Sequence, residues 1–146
     1  ESVSNLVALL KGLQDEGVPP NRTLVGGFSM GGGIALQLAL RYPDMLAGAF
    51  GLSSYMCTDA AAYKLLEGGE NSGRPPIFMA HGEADGFIRP KWGRATAQRL
   101  ESLGIKVQYQ SLPGLQHELS REEVSLLNEW IRGILGAVPV GDGGRP

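Results

Sequence analysis

An α/β fold, with a mostly parallel sheet and helices on both of its faces, is what this sequence predicts. Three observations lead there. Apolar stretches of strand length alternate with stretches of helical periodicity along nearly the whole chain. The strand stretch Thr23 to Gly27 is apolar on both faces, as a central parallel strand between two helical layers should be. Turn residues, among them Gly17, Pro19-Pro20 and Pro43, punctuate the boundaries between segments.

The elements follow in order. Ser4 to Glu16 carries Leu6, Val7, Leu9, Leu10 and Leu13 at helical spacing, and Gly17 with Pro19-Pro20 ends that helix. After the strand Thr23 to Gly27, a second helix from about Gly31 to Tyr42 is apolar nearly all round, so it should be well buried. Pro43 stops it. Met45 to Leu52 reads as a second strand, followed by Ser53-Ser54-Tyr55 at its C-terminal end. Asp59 to Glu67 fits a short helix and Gly68 to Pro76 a loop. Ile77 to Ala80 is a third strand, running into His81-Gly82-Glu83-Ala84-Asp85.

Pro90 to Leu103 reads as a helix with Trp92, Ala95, Leu100 and Leu103 on its inner side. Val107 to Leu112 alternates apolar and polar, which marks an outer or half-exposed strand. Ser120 with Glu123 makes a capping box for the last helix, which carries Val124, Leu127, Trp130, Ile131 and Ile134. Residues 1–135 thus form one domain, which the resemblance described below makes a partial one, and 136–146, rich in Gly and Pro, a flexible tail.

Composition narrows the function. A chain of 146 residues, 42% hydrophobic and 19% charged, is long enough for one domain with a real core. Its net charge of −2 comes with scattered Lys and Arg, so no footprint for nucleic acid or an anionic membrane stands out. No apolar run reaches transmembrane length. The single Cys57 has no partner for an internal disulfide, which suits a reducing compartment.

The chemistry centres on Gly27-Phe28-Ser29-Met30-Gly31, a G-x-S-x-G pattern between a strand and a helix. A serine on so sharp a turn has strained backbone angles, and the glycines two before and two after it should be needed to avoid collision. The helix that follows aims its free N–H groups at the serine, that of Met30 first, where they can stabilise an oxyanion. Taken alone, the five residues fit a Gly-rich loop equally well.

Ser29, Asp85 and His117 each fall just after a strand, where functional groups gather in this architecture, and they occur in the order Ser…Asp…His. Ser29 is then the nucleophile, His117 the base and Asp85 the group that orients it. His81 is the competing histidine, and its place at a strand end suits a structural hydrogen bond. A metal site built from His81, Glu83, Asp85, His117 and Glu118 is the other reading, but the spacing matches neither a zinc helix nor a calcium loop.

At GGFSMGGGIALQLALRYPDMLAGAFGLSSYM, HGEAD and ESLGIKVQYQSLPGLQHELS the chain resembles the acyl-protein thioesterase/carboxylesterase family of α/β-hydrolases, most closely its lysophospholipase-like branch. The likeness runs from Glu1 to about Leu135. It implies a cytosolic serine hydrolase of esters or thioesters with Ser29, Asp85 and His117 as the triad, Met30 as one oxyanion donor and no cofactor. The implied partner is an acyl ester or thioester substrate, S-acylated protein included. Phe87 and Leu115 are expected to wall the acyl pocket. Glu118-Leu119-Ser120 and Ile88-Arg89-Pro90 depart from many relatives at the cleft rim.

The resemblance also implies that this is the C-terminal portion of the fold, with the N-terminal strands and the loop bearing a second oxyanion N–H missing. The strand at Leu24 to Gly27 should then have an unpaired apolar edge, and the chain taken as a whole molecule should be unstable or poorly active. Two other readings stay open: a truncated product that binds without catalysis, and the catalytic end of a prolyl-oligopeptidase-like peptidase.

Overall fold

The computed structural model describes residues 2–136. The elements are α1 (Ser2–Asp15), β1 (Leu24–Phe28), α2 (Met30–Arg41), β2 (Gly48–Leu52), α3 (Ala61–Leu66), β3 (Ile77–Gly82), α4 (Pro90–Ser102), β4 (Val107–Leu112) and α5 (Arg121–Leu135). The four strands form one sheet in the order β1-β2-β3-β4, every pair parallel. Strand order in space equals order in the chain, so every crossover helix spans one neighbouring pair.

Alternation along the strands divides the core in two. Ala49, Ile77 and Met79 face α1, α2, α3 and α4, where Leu10, Leu36, Leu40, Leu66 and Leu100 pack. Leu52, Phe78 and Ala80 face α5, which covers them with Leu127 and Trp130. The Phe78 and Trp130 rings stand 5.7 Å apart. Both faces are therefore covered, four helices on one and one on the other.

The strand at Leu24 to Phe28 does not sit in the middle of the described sheet. It is an edge strand, its Gly26 exposed and its other side paired with no strand among the described residues. β4, at the opposite edge, is half-exposed as its alternation predicts. β2 begins at Gly48 rather than Met45, because Pro43 to Met45 coil into a single 3₁₀ turn first. β3 continues past Ala80 to Gly82, which buries His81 within the strand. Of the tail, residues 137–146 lie outside the described residues.

Two helices are rotated from the faces expected for them. On α4 the inner face is Gly93, Thr96, Ala97 and Leu100, while Trp92 and Ala95 are exposed. The cause is Gly93: a Cβ there would stand 2.5 Å from His81 Nδ1, so only the bare backbone packs this close to the strand. On α5 Val124 is 47% exposed, and Glu123 beside it is fully buried. Leu9 on α1 is likewise outside the core.

Ser120 Oγ accepts the Glu123 N–H at 3.0 Å, which is one half of the capping box. The reciprocal bond does not form, and neither Glu123 carboxylate oxygen has a hydrogen-bond partner among the described residues. Burial pushes this carboxyl above the usual range, and the nearby Ser120 N–H offsets only part of that. Because the folded value is raised, its contribution to stability is complete below the ordinary glutamate range and is lost as pH rises through the folded value. Glu123→Gln, which removes the ionisable group at similar volume, is expected to stabilise the chain at pH 7. The gain should vanish below about pH 4 in urea titrations at the two pH values.

Candidate active site

The turn from β1 into α2 is held by hydrogen bonds centred on Ser29 and Ser54. Ser29 N–H donates to Leu52 O at 2.8 Å, and the Ser54 hydroxyl lies 2.6 Å from Ser29 O and 2.8 Å from Leu52 O, its one proton shared between them. Gly32 N–H donates back to Ser29 O at 3.1 Å. Ser29 itself sits at φ 54° and ψ −124°, a conformation that costs a non-glycine residue about 1–3 kcal/mol. It occupies the N-cap of α2, yet its side chain caps nothing, so Oγ is left free.

The glycines are needed at slightly different places from those expected. A Cβ on Gly27 would stand 2.4 Å from the Gly31 carbonyl carbon, so the glycine two before the serine is required. A Cβ on Gly31 meets nothing outside its own helix, whereas one on Gly32 would stand 2.0 Å from Ser54 Oγ and 2.7 Å from Gly27 O. The close approach of helix to strand falls at the third residue after the serine. Gly32→Ala is therefore expected to cost about 3 kcal/mol or more, and Gly31→Ala far less, in parallel denaturant titrations.

Asp85 and His117 meet at the C-terminal ends of β3 and β4. Their loops are bound together: Glu83 N–H donates to Leu112 O at 2.9 Å and Ala84 N–H to Leu115 O at 3.0 Å. His117 Nδ1 donates to Asp85 Oδ2 at 2.8 Å, which leaves Nε2 as the acceptor nitrogen of the neutral ring. Asp85 Oδ1 accepts the N–H groups of Phe87 and Ile88, each at 2.9 Å. Burial alone would raise the Asp85 carboxyl, but the bonds from His117, Ile88 and Phe87 outweigh it and hold the group below the usual carboxylate range.

His117 lies between two rings, with centroid distances of 4.7 Å to Phe28 and 5.5 Å to Phe87. Phe28 directly precedes Ser29, so Ser29 and the imidazole share one edge of the sheet. No hydrogen bond joins Ser29 to His117 among the described residues. Such bonds are often long in unliganded enzymes and tighten with substrate. Met30 is the first residue of α2, so its N–H has no acceptor within the helix, while its side chain is exposed.

A groove of about 440 Å³ opens at Ser29 and Met30 and is lined by Ile34, Tyr55, Cys57 and Ile88. Neither residue expected to wall an acyl pocket lines it. Phe87 borders a separate hollow beside His117, and Leu115 packs against the core under α5. Tyr55 and Cys57 escaped sequence reasoning as groove residues. Their signal was position, since Ser53-Ser54-Tyr55 follows a strand at the functional edge. His81 is 1% exposed and 3.3 Å from Asp85. Among the described residues no three His, Cys, Asp or Glu side chains converge to hold a metal ion, and no helix is long and apolar enough to cross a membrane.

A model of the phospholipase/carboxylesterase family matches residues 1–135. The chain is 40% identical over 137 residues to lysophospholipase-like protein 1 of Mus musculus, covering 90% of this chain and 56% of that protein. It is 35% identical over 117 residues to acyl-protein thioesterase 1 of Neurospora crassa, covering 80% and 48%. The chain thus spans about half the length of the curated relatives it matches. Among solved structures, Arabidopsis thaliana SOBER1 superposes with a TM-score of 0.80 at 27% identity, over 91% of this chain and 62% of that one. Acyl-protein thioesterase 2 of Zea mays superposes with a TM-score of 0.78 at 26% identity, over 92% and 64%.

Proposed function

The chain belongs to the phospholipase/carboxylesterase family of α/β-hydrolases, and from that premise we propose that it cleaves carboxylic esters or thioesters through an acyl-enzyme on Ser29. Ser29 Oγ attacks the acyl carbonyl as His117 Nε2 takes its proton. The oxyanion forms against the Met30 N–H at the start of α2. Collapse expels an alcohol or thiol, which receives the proton from His117. Water, activated by the same imidazole, then releases the acid and restores Ser29. Asp85 holds His117 in the tautomer this sequence needs and stabilises its charged form.

The observation that carries the reading is the 2.8 Å bond from His117 to Asp85 beside a serine held at φ 54° with an uncapped hydroxyl. Acyl-protein thioesterases and carboxylesterases among the relatives extend the candidate substrates to S-acylated proteins and small esters. The reading includes action in the cytoplasm, in keeping with a single cysteine unable to form an internal disulfide. The test offers one acyl group as an oxygen ester and as a thioester, with the reaction quenched in acid for peptide mass analysis. The expected result is that acyl mass on the Ser29 peptide, from both substrates. Acylation elsewhere, or hydrolysis without any acylated peptide, would overturn the reading.

A further inference from the structure

We infer that His81 is a positioning residue: its imidazole bonds the Ile88 carbonyl, so fixing the Asp85 loop, and sets its N–H dipole 3.3 Å from the carboxylate oxygen that holds His117. The inference deepens the reading of Ser29, His117 and Asp85 as the reactive group and rests on it.

The geometry around Asp85 is uneven. Oδ1 is satisfied by two backbone N–H groups of its own loop. Oδ2 faces two imidazoles, His117 Nδ1 at 2.8 Å and His81 Nε2 at 3.3 Å. His81 Nε2 also lies 2.9 Å from the carbonyl oxygen of Ile88. A carbonyl only accepts, so Nε2 carries the proton and donates it. That single N–H is committed to Ile88 O, and its 3.3 Å approach to Asp85 Oδ2 is an electrostatic contact rather than a hydrogen bond.

Two consequences follow. The bond to Ile88 O closes the loop on the carbonyl side, while Asp85 Oδ1 closes it on the N–H side, so the carboxylate is held from both directions. The residual attraction to Oδ2 draws electron density away from the oxygen that His117 uses. His81 thereby sets both the aim of Asp85 and the strength of its bond to His117. Packing enforces this arrangement: the side chains of His81 and Asp85 are 1% and 0% exposed, and Gly93 of α4 lies against the far side of the imidazole. His81 Nδ1 has no partner among the described residues, an uncommon condition for a buried polar atom. The fold keeps a half-satisfied imidazole where an apolar side chain would avoid that cost, as expected if Nε2–H is the part required.

Three variants separate the claim from a packing role. His81→Leu removes the donor at similar volume. His81→Gln keeps an N–H near the Nε2 position. Gly93→Ala removes no polar group but crowds the ring, because the added Cβ would stand 2.5 Å from Nδ1. The first readout is proton NMR of the downfield imidazole N–H signals, assignable because the chain has only 2 histidines. The expected result is that the His117 Nδ1–H signal moves downfield in His81→Leu, as Oδ2 loses the imidazole N–H dipole beside it. It should shift in Gly93→Ala and stay in place in His81→Gln. The second readout is kcat/KM for an ester. It should fall on the order of tenfold in His81→Leu, the equivalent of one lost hydrogen bond, and recover in His81→Gln.

An unmoved His117 signal in folded His81→Leu would overturn the inference, as would His81→Gln losing as much activity as His81→Leu. Should His81→Leu fail to fold, His81→Gln and Gly93→Ala decide the matter by the same signal. The NMR readout needs no turnover, so it tests His81 even if Ser29 proves not to be the nucleophile. Absence of Ser29 acylation with an intact His81 effect would reject the reaction and keep the positioning role.

Discussion

Ser29→Ala is expected to lower ester turnover by about a thousandfold or more, down to the level that binding and the oxyanion site alone provide. The size follows from the way the parts depend on one another. With the hydroxyl gone, His117 has no proton to accept and the Asp85–His117 bond acts on nothing. The fold should be nearly untouched, since Ser29 Oγ caps no helix. Removal of a side chain from a residue at φ 54° does not relieve the strain, because alanine keeps its Cβ. The measurement is single-turnover hydrolysis of an activated ester, with denaturant titration showing the same unfolding midpoint within about 0.5 kcal/mol of stability. A residual rate within tenfold of the parent would mean the hydroxyl is not the nucleophile.

Asp85→Asn carries the second large effect, a fall in kcat of about 10⁴. An amide in place of the carboxylate can present an N–H to His117 and so favour the wrong tautomer, with Nε2 protonated and unable to act as base. The charge that stabilises the imidazolium is lost as well. Asp85 also carries a pH signature. Its carboxyl is held below the ordinary range in the folded chain, so its contribution to stability is present above the unfolded value. That contribution is lost as pH falls through the folded value. Parent and Asp85→Asn should therefore differ in stability at pH 7 and converge in strong acid. A constant difference across that range would show that the His117 and loop bonds do not favour the charged carboxylate.

The sheet and its connections were legible because they rest on short-range patterns. Apolar strand segments and helical periodicities alternate, and each predicted strand lies in the parallel sheet. What escaped the sequence depended on neighbours distant in the chain. The inner face of α4 is set by Gly93 meeting His81, and nothing in the local pattern of Trp92, Ala95 and Leu100 reveals that contact. Glu123 reads as a capping-box residue, yet with Leu127 and Trp130 packed on the Phe78 face it is Glu123 that is buried and Val124 that is exposed.

At the candidate site, the placement of Ser29, Asp85 and His117 at strand ends was readable from the strand pattern. The structure bonds Asp85 to His117 and sets Phe28 against the imidazole. The groove was not readable. Its walls come from α2 and from the segments after β2 and β3, and Leu115, which looked suitable by type, turns into the core instead. The same is true of the glycine after the serine. The pattern points to Gly31, but the geometry of the helix approach puts the demand on Gly32.

The central claim is that this chain assembles an activated serine from Ser29, His117 and Asp85. The most direct test is labelling with a fluorophosphonate probe, on the parent chain and on Ser29→Ala, with circular dichroism confirming that both are folded. The account predicts labelling of the parent and none of the variant. A folded parent that takes up no probe, or equal labelling of the variant, would contradict it.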